Sequence, residues 1–197
     1  MFAFIARQPI LDKTKDVFAY ELLFRDGKAG AYPEHSPEKA QYISEHFHPL
    51  GLDDISGEKT SFINFSSETI ISRFPTTLNP ESVVVELADN PFAQTGLLEA
   101  CQHIKRLGFR IAIDDPMMLS AKHEILPLVD IVKVDLSQIR FENIEKNIPR
   151  FLDANVELIA EQVDTQDQFA TSMDLGFDFF QGYFFAQPEA RILRQLP

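Results

Sequence analysis

The sequence predicts an α/β chain closed as a (β/α)8 barrel, opened by an N-terminal β-hairpin whose first strand runs antiparallel to the others. Three observations predict it. Short apolar runs alternate with helical stretches in the order that builds a parallel sheet. The runs are close to continuously apolar, as strands covered on both faces are. Most of them end in a carboxylate or an amide or carry a lysine, and a barrel gathers strand C-termini at one mouth. The last pattern is sharpest at Ile111-Ala112-Ile113-Asp114-Asp115, where an uncharged strand between Gly108 and Pro116 stops in two adjacent acids. Two carboxylates held together repel unless a proton or a cation lies between them. Taken alone, the stretch also reads as one Asp capping the next segment and the other solvated. An open doubly wound sheet is the runner-up architecture. Scattered caps would not select strand ends so regularly, and this favours the TIM-like barrel.

The elements follow in order. Phe2–Ala6 is a short apolar strand running into Arg7-Gln8-Pro9, Asp12–Asp16 a polar turn, and Val17–Arg25 the second strand. Glu21 lies inside that apolar run, where a lone carboxylate is costly, so it is paired with Arg25 or bound to a cation. Asp26 to Pro33 reads as loop. Ser36-Pro37-Glu38 then starts a helix that ends before Pro49, with Ser36 as cap and Pro37 at its first position. His46 and His48, two apart, do not share a face of it. Ser61–Phe65 is a strand followed by a Ser66-Ser67-Glu68 helix start. Ser82–Glu86 is a strand, and a helix runs from Pro91 to Leu107. After the paired acids come a helix from Leu119 to about Leu126 and the strand Ile131–Asp135, which carries Lys133. Glu142 to Ala154 reads as a helix interrupted by Pro149, Glu157–Glu161 as a strand, and Thr165 opens a helix to about Leu175. Phe177–Tyr183 is the last strand, and a short helix follows Pro188.

Composition narrows the class. The 197 residues suit one domain, 1–197, near the lower limit for a barrel, and 45% apolar content marks a globular chain. A net charge of −12 argues against a nucleic-acid polymer or an anionic membrane as partner, so an anionic ligand needs local basic groups or metal ions. The single cysteine, Cys101, cannot form an internal disulfide, which fits a reducing cytoplasm. No uncharged run approaches the roughly 18 residues of a membrane span.

Asn64, Glu86, Asp114, Asp115, Lys133, Glu161 and Gln181 fall within strands or at their C-terminal ends, and Glu21 joins them from the hairpin. Carboxylates and an amide without Cys or His form a hard-oxygen set that suits Mg²⁺ or Mn²⁺. An Asp pair between two outer sets suggests two metals sharing a carboxylate, an arrangement that cleaves phosphodiesters with an activated water. Lys133 amid these acids orients the water or neutralises developing charge; pairing with Asp114 or Glu161 is its structural alternative.

These residues resemble the EAL domain, the family of cyclic di-GMP phosphodiesterases. Tyr20-Glu21-Leu22-Leu23-Phe24-Arg25 stands at the Glu-Ala-Leu signature, Ile63-Asn64-Phe65-Ser66 at the Asn motif, and Val85-Glu86-Leu87-Ala88-Asp89 at the next Glu motif. Asp114-Asp115, Val132-Lys133-Val134-Asp135, Ala160-Glu161-Gln162-Val163-Asp164-Thr165 and Gln181-Gly182-Tyr183-Phe184-Phe185 complete a collinear match over nearly the whole chain. The resemblance implies that Glu21, Asn64, Glu86 and Asp114 hold one metal, and Asp114, Asp115 and Glu161 the other. It implies that Lys133 contacts the attacking water and Gln181 helps position it, while Arg25 and Gln8 reach the phosphate or base of the ligand. Cyclic di-GMP opened to linear pGpG is the reaction so implied.

The chain also departs from the family pattern. Leu22 replaces Ala, Asp89 and Asp164 replace Glu, and Pro116-Met117-Met118-Leu119 stands where active members carry a Gly-rich segment. In the family that segment couples metal binding to substrate binding and dimerisation. The traits resemble the EAL half of proteins in which an HDOD domain follows, which leaves a C-terminal HDOD domain, another signalling protein or a second copy of the chain as partners. Two functions stay open: a phosphodiesterase, slow and with a weaker second metal because of the altered segment, or a non-catalytic module that binds the nucleotide or a protein partner.

Overall fold

A computed structural model of the chain describes residues 4–25, 55–87, 95–114, 124–138, 141–153 and 155–192. The strands are β1 (Phe4–Asp12), β2 (Val17–Arg25), β3 (Thr60–Phe65), β4 (Val83–Leu87), β5 (Arg110–Asp114), β6 (Ile131–Asp135), β7 (Glu157–Glu161), β8 (Phe179–Phe180) and β9 (Glu189–Ile192). The helices are α1 (Ser67–Ile71), α2 (Leu97–Arg106), α3 (Phe141–Asp153) and α4 (Gln166–Asp174). Strands β2 to β8 follow one another around the sheet, and β1 pairs with both β8 and β2, which closes the barrel. β1 is antiparallel to its neighbours, as the hairpin requires, and the pairs from β2–β3 to β7–β8 are parallel. Among the described residues no helix is long and apolar enough to cross a membrane.

The register sets the tilt of the barrel. Asn64 lies level with Glu86, and Asp114 level with Lys133. Glu86, however, faces Ala112, and Lys133 faces Ile159, so the tier climbs two residues at these crossings. It climbs likewise from β2 to β3, where Glu21 faces Phe62. Such stepped register is how a closed sheet of tilted strands is formed.

Side chains that alternate on each strand then fill the barrel in tiers. Ile10, Ala19, Phe62, Val84, Ala112, Ile131 and Ile159 form one buried apolar cluster, with Phe18 and Phe179 packed against it. The outward-facing residues form a larger core against the helices, among them Ile63, Val85, Ile113, Val132 and Leu158 with Ile104, Ile148 and Phe169. Val83–Val85, Ile111–Ile113, Ile131–Val132 and Leu158–Ala160 are thus apolar on both faces.

Several elements differ from expectation. β1 extends to Asp12 through Pro9, which the sequence placed beyond the strand. β9 pairs with β1 at residues 4–7 and β8 pairs at residues 11–12, so Pro9 sits where neither needs its missing N–H. The helix expected after Pro188 is instead β9, because the edge of β1 offers Phe4–Arg7 as a pairing template that overrides local propensity. β8 is shorter than expected: the Asp178 carboxylate takes the Leu158 N–H in place of a longer ladder. α2 begins at Leu97 after a left-handed Gly96, later than Pro91. Pro149 does not interrupt α3, which runs through it. Pro149 is exposed, so water replaces the backbone bond it removes, while Ile144, Ile148 and Phe151 keep the buried face intact. Leu126–Leu128 forms a single 3-10 turn. The expected helix starts hold, with caps: Ser66 accepts from the Thr69 N–H, and Thr165 forms a capping box with Gln168. The helix after Ser36, His46, His48, Asp89, Asp115, Pro116–Leu119 and most of the helix expected from Leu119, up to His123, lie outside the described residues.

Candidate active site

One pleat above the apolar cluster, the side chains change chemistry together. Glu21 lies two residues beyond Ala19, Asn64 beyond Phe62, Glu86 beyond Val84 and Asp114 beyond Ala112. Lys133 lies two beyond Ile131, Glu161 beyond Ile159 and Gln181 beyond Phe179, while on antiparallel β1 Gln8 lies two before Ile10. The period of two thus delivers one polar side chain per strand to the same side of the plug.

Lys133 stands at the centre. Its ammonium donates to Glu86 Oε1 at 2.7 Å and pairs with Glu161 Oε1 at 2.8 Å, Glu21 Oε2 at 3.3 Å and Asp114 Oδ1 at 3.7 Å. An amide girdle ties the near wall. Gln181 Nε2 donates to Glu21 Oε2 at 2.7 Å and to Gln8 Oε1 at 3.2 Å. Asn64 Nδ2 donates to Glu21 Oε1 at 3.2 Å, and Gln8 Nε2 to the Ala186 carbonyl at 3.2 Å. The site opens toward β5 and β7: Asp114 is 45% exposed and Glu161 19%, against 1% for Glu86. Arg25 is the last residue of β2, opposite Phe4, and Asp115 lies outside the described residues.

Among the described residues four carboxylates face one ammonium, so acids outnumber the base. Burial pushes the Glu86 carboxyl well above its ordinary range, with the Asp114 charge adding to it and Lys133 opposing. Burial likewise raises Glu161 to about 7 against the pull of Lys133, with Asp114 and Glu21 adding to the rise. Burial works against the Lys133 charge, yet the surrounding acids, Glu161 foremost, hold its pKa well above that of a free lysine. Glu86 Oε2 and Gln181 Oε1 are buried with no hydrogen-bond partner among the described residues.

An orphaned buried carboxylate oxygen, excess negative charge and an all-oxygen donor set fit a hard divalent cation. As the side chains stand, no group of three acids among the described residues is arranged to hold a metal ion. Glu21, Glu86 and Glu161 all turn to the ammonium, so a metal must compete with Lys133 for them. Sequence reasoning did not single out Gln162, which follows Glu161 with a left-handed φ of 54°, nor the space requirement at Gly182. A glycine directly after a strand's last polar residue was the available signal for the second.

Comparison with known proteins agrees with this architecture. The EAL domain family model matches residues 53–188. The chain is similar to the cyclic di-GMP phosphodiesterase CdgJ of Vibrio cholerae, at 37% identity over 94% of this chain and 44% of that protein. It is similar to YuxH of Bacillus subtilis, at 29% identity over 95% of this chain and 48% of that one. It spans about half the length of these curated relatives. Its fold superposes on Klebsiella pneumoniae BlrP1, solved as a calcium/cy-diGMP complex, with a TM-score of 0.76 and 19% identity, covering 95% of this chain and 56% of that one. With the family model matched over more than half of its residues, and its barrel carrying the acids at one mouth, the chain belongs to the EAL domain family.

Proposed function

We propose that this chain hydrolyses cyclic di-GMP to linear pGpG; its relative CdgJ is named a cyclic di-GMP phosphodiesterase. The observation that carries the reading is the ring of Glu21, Glu86, Asp114 and Glu161 around Lys133 at the mouth of the barrel, with Glu86 Oε2 unpartnered among the described residues. Glu21, Asn64, Glu86 and Asp114 would hold one Mg²⁺ or Mn²⁺, and Asp114, Asp115 and Glu161 a second, weaker one. Such ions, when bound, lower the pKa of a water and stabilise the leaving oxygen. The residues of the chain do the rest. Lys133 carries a positive charge among these acids and would contact the attacking water, neutralising developing charge. Glu161 would act through the second ion; without metal, burial raises its carboxyl to about 7. Gln181, held through Nε2 by Glu21 and Gln8, presents its free Oε1 as an acceptor for a water hydrogen. Arg25 and Gln8 would take the nucleotide. We read 1–197 as one catalytic module working in the cytoplasm, with an HDOD domain, another signalling protein or a second copy as partner.

One sequence feature favours a second reading, a nucleotide- or partner-binding module without turnover. Pro116-Met117-Met118 replaces the Gly-rich segment, and Pro lacks the N–H such a segment supplies. A titration of Mn²⁺ and Mg²⁺ with purified chain and cyclic di-GMP separates the two. The phosphodiesterase gives metal-dependent pGpG, slowly and at high metal. Nucleotide binding without pGpG at any metal concentration selects the module.

A further inference from the structure

We propose that Gly182 is a positioning residue: its missing side chain lets the exit of β8 seat on the backbone of Val163, and this contact sets Glu161 and Gln181 relative to each other. The inference rests on the proposed phosphodiesterase reading for its kinetic consequence and on geometry for the rest.

The two strand exits meet backbone to backbone. After Glu161 the chain reverses through Gln162 at a left-handed φ of 54°, a conformation that a non-glycine residue holds only where its surroundings impose it. The reversal turns the Val163 N–H to the Gln181 carbonyl at 3.0 Å and the Val163 carbonyl to the Phe184 N–H at 3.0 Å. On the other strand, the Gln181 N–H donates to the Ala160 carbonyl at 2.8 Å. Gly182 lies directly against this link, and a Cβ placed on it would overlap the Val163 backbone N, C and O. Its φ is not in the left-handed region, so the requirement is for space alone. The Gly182 carbonyl then closes the following turn, accepting from the Phe185 N–H at 3.1 Å and the Ala186 N–H at 3.2 Å. The Ala186 carbonyl takes Gln8 Nε2, returning the turn to the polar tier. The far end is pinned by the Tyr183 N–H donating to Asp164 Oδ1 at 3.3 Å, and by the Asp164 and Thr165 N–H groups donating to Gln168 Oε1 at the start of α4.

Gln181 and Glu161 sit one and two residues from this clasp. A methyl group at 182 has only backbone to push against, which yields by moving the two exits apart by about 1 Å. Gln181 Nε2 then withdraws from Glu21, and Glu161 from Lys133. Misplacement of that size costs a catalytic constellation about 100-fold in rate.

The test uses the full chain and its Gly182→Ala, Asp164→Ala and Asp164→Asn variants. Readouts are turnover of cyclic di-GMP across a Mn²⁺ titration and the ¹⁵N resonance of the Gln181 side-chain amide. Ile104→Val in α2 serves as a control that lowers stability away from the mouth. The proposal expects Gly182→Ala to lower kcat by about 100-fold with KM within about threefold, to raise the Mn²⁺ midpoint and to shift the Gln181 amide. It expects Ile104→Val to move none of these. Asp164→Ala, which removes one hydrogen bond of the clasp, should lower kcat about fivefold, and Asp164→Asn should restore it by keeping an acceptor. If Gly182→Ala folds with kcat, metal midpoint and Gln181 amide unchanged, the proposal is overturned. If it does not fold, unchanged values in Asp164→Ala overturn it. If the unaltered chain yields no pGpG, the function reading fails instead. The clasp then stands on a shifted Gln181 amide in the variants and falls on an unshifted one.

Discussion

Two tiers of side chains lie two residues apart inside the same barrel and are built on opposite terms. The lower tier, including Ile10, Phe62, Val84, Ile131 and Ile159, is wholly apolar and buried. Its stability comes from area removed from water, and it holds no titratable group and no metal ligand. The upper tier, with Glu21, Glu86, Asp114 and Glu161 around Lys133, buries charge that only partly cancels. A buried ionic cluster adds little net stability and is badly damaged when one partner is lost. The apolar tier keeps the strands in place while the charged tier is held in a state that a cation would relieve.

The comparison is broken most severely at Lys133. Lys133→Met leaves the buried acids without their counter-ion and should destabilise the metal-free chain by about 3–5 kcal/mol and abolish turnover. Urea unfolding with and without Mn²⁺ checks it, and a variant as stable as the parent would show that protons already neutralise the acids. Phe62→Ala, one tier below, should cost about 3–4 kcal/mol through the cavity it leaves. Its turnover per folded molecule should stay within a few-fold of the parent, so a selective loss of activity would mean the tiers are not separable.

Metal sharpens the contrast at the next level. Mn²⁺ at about 100 times its dissociation constant should raise stability by about 2.7 kcal/mol. Glu86→Gln should remove that gain while changing the metal-free chain little, since burial already favours the neutral Glu86 carboxyl. A midpoint unmoved by millimolar Mn²⁺ or Mg²⁺ in the parent would make the tier a hydrogen-bonded core network. The pH dependence is smaller. Folded Glu161 holds its proton up to about 7, against an ordinary 4.5, so the metal-free folded state binds more protons than the unfolded one between those values. Stability is therefore full below about 4.5 and falls as pH rises to about 7, by on the order of 1–2 kcal/mol for this group. Thermal unfolding across pH, with Phe62→Ala expected to run parallel to the parent, measures it. The smallest effect is at Thr165: Thr165→Ala removes the α4 cap and should cost about 1 kcal/mol without changing the metal dependence.

Much of this was legible in the chain itself. The strand order, the closed barrel and the polar residue at each strand end follow from apolar runs that alternate with helices and end in Glu, Asp, Asn, Lys or Gln. The helix starts at Ser66 and Thr165 are local features. The C-terminal strand β9 and the short β8 were not legible, since each depends on a partner far away in sequence: the β1 edge for one, the Asp178 carboxylate on the Leu158 N–H for the other. Pro149 misled because its cost depends on whether water can reach the freed carbonyl.

The sequence alone determined which residues face the mouth, since spacing along a strand decides the face. Only the tertiary structure decided how they meet. The two-residue steps in register bring Lys133 among acids from four other strands, and the same closure leaves Gly182 no room for a side chain against Val163. Distances between strands are set by sheet closure, which no single strand encodes.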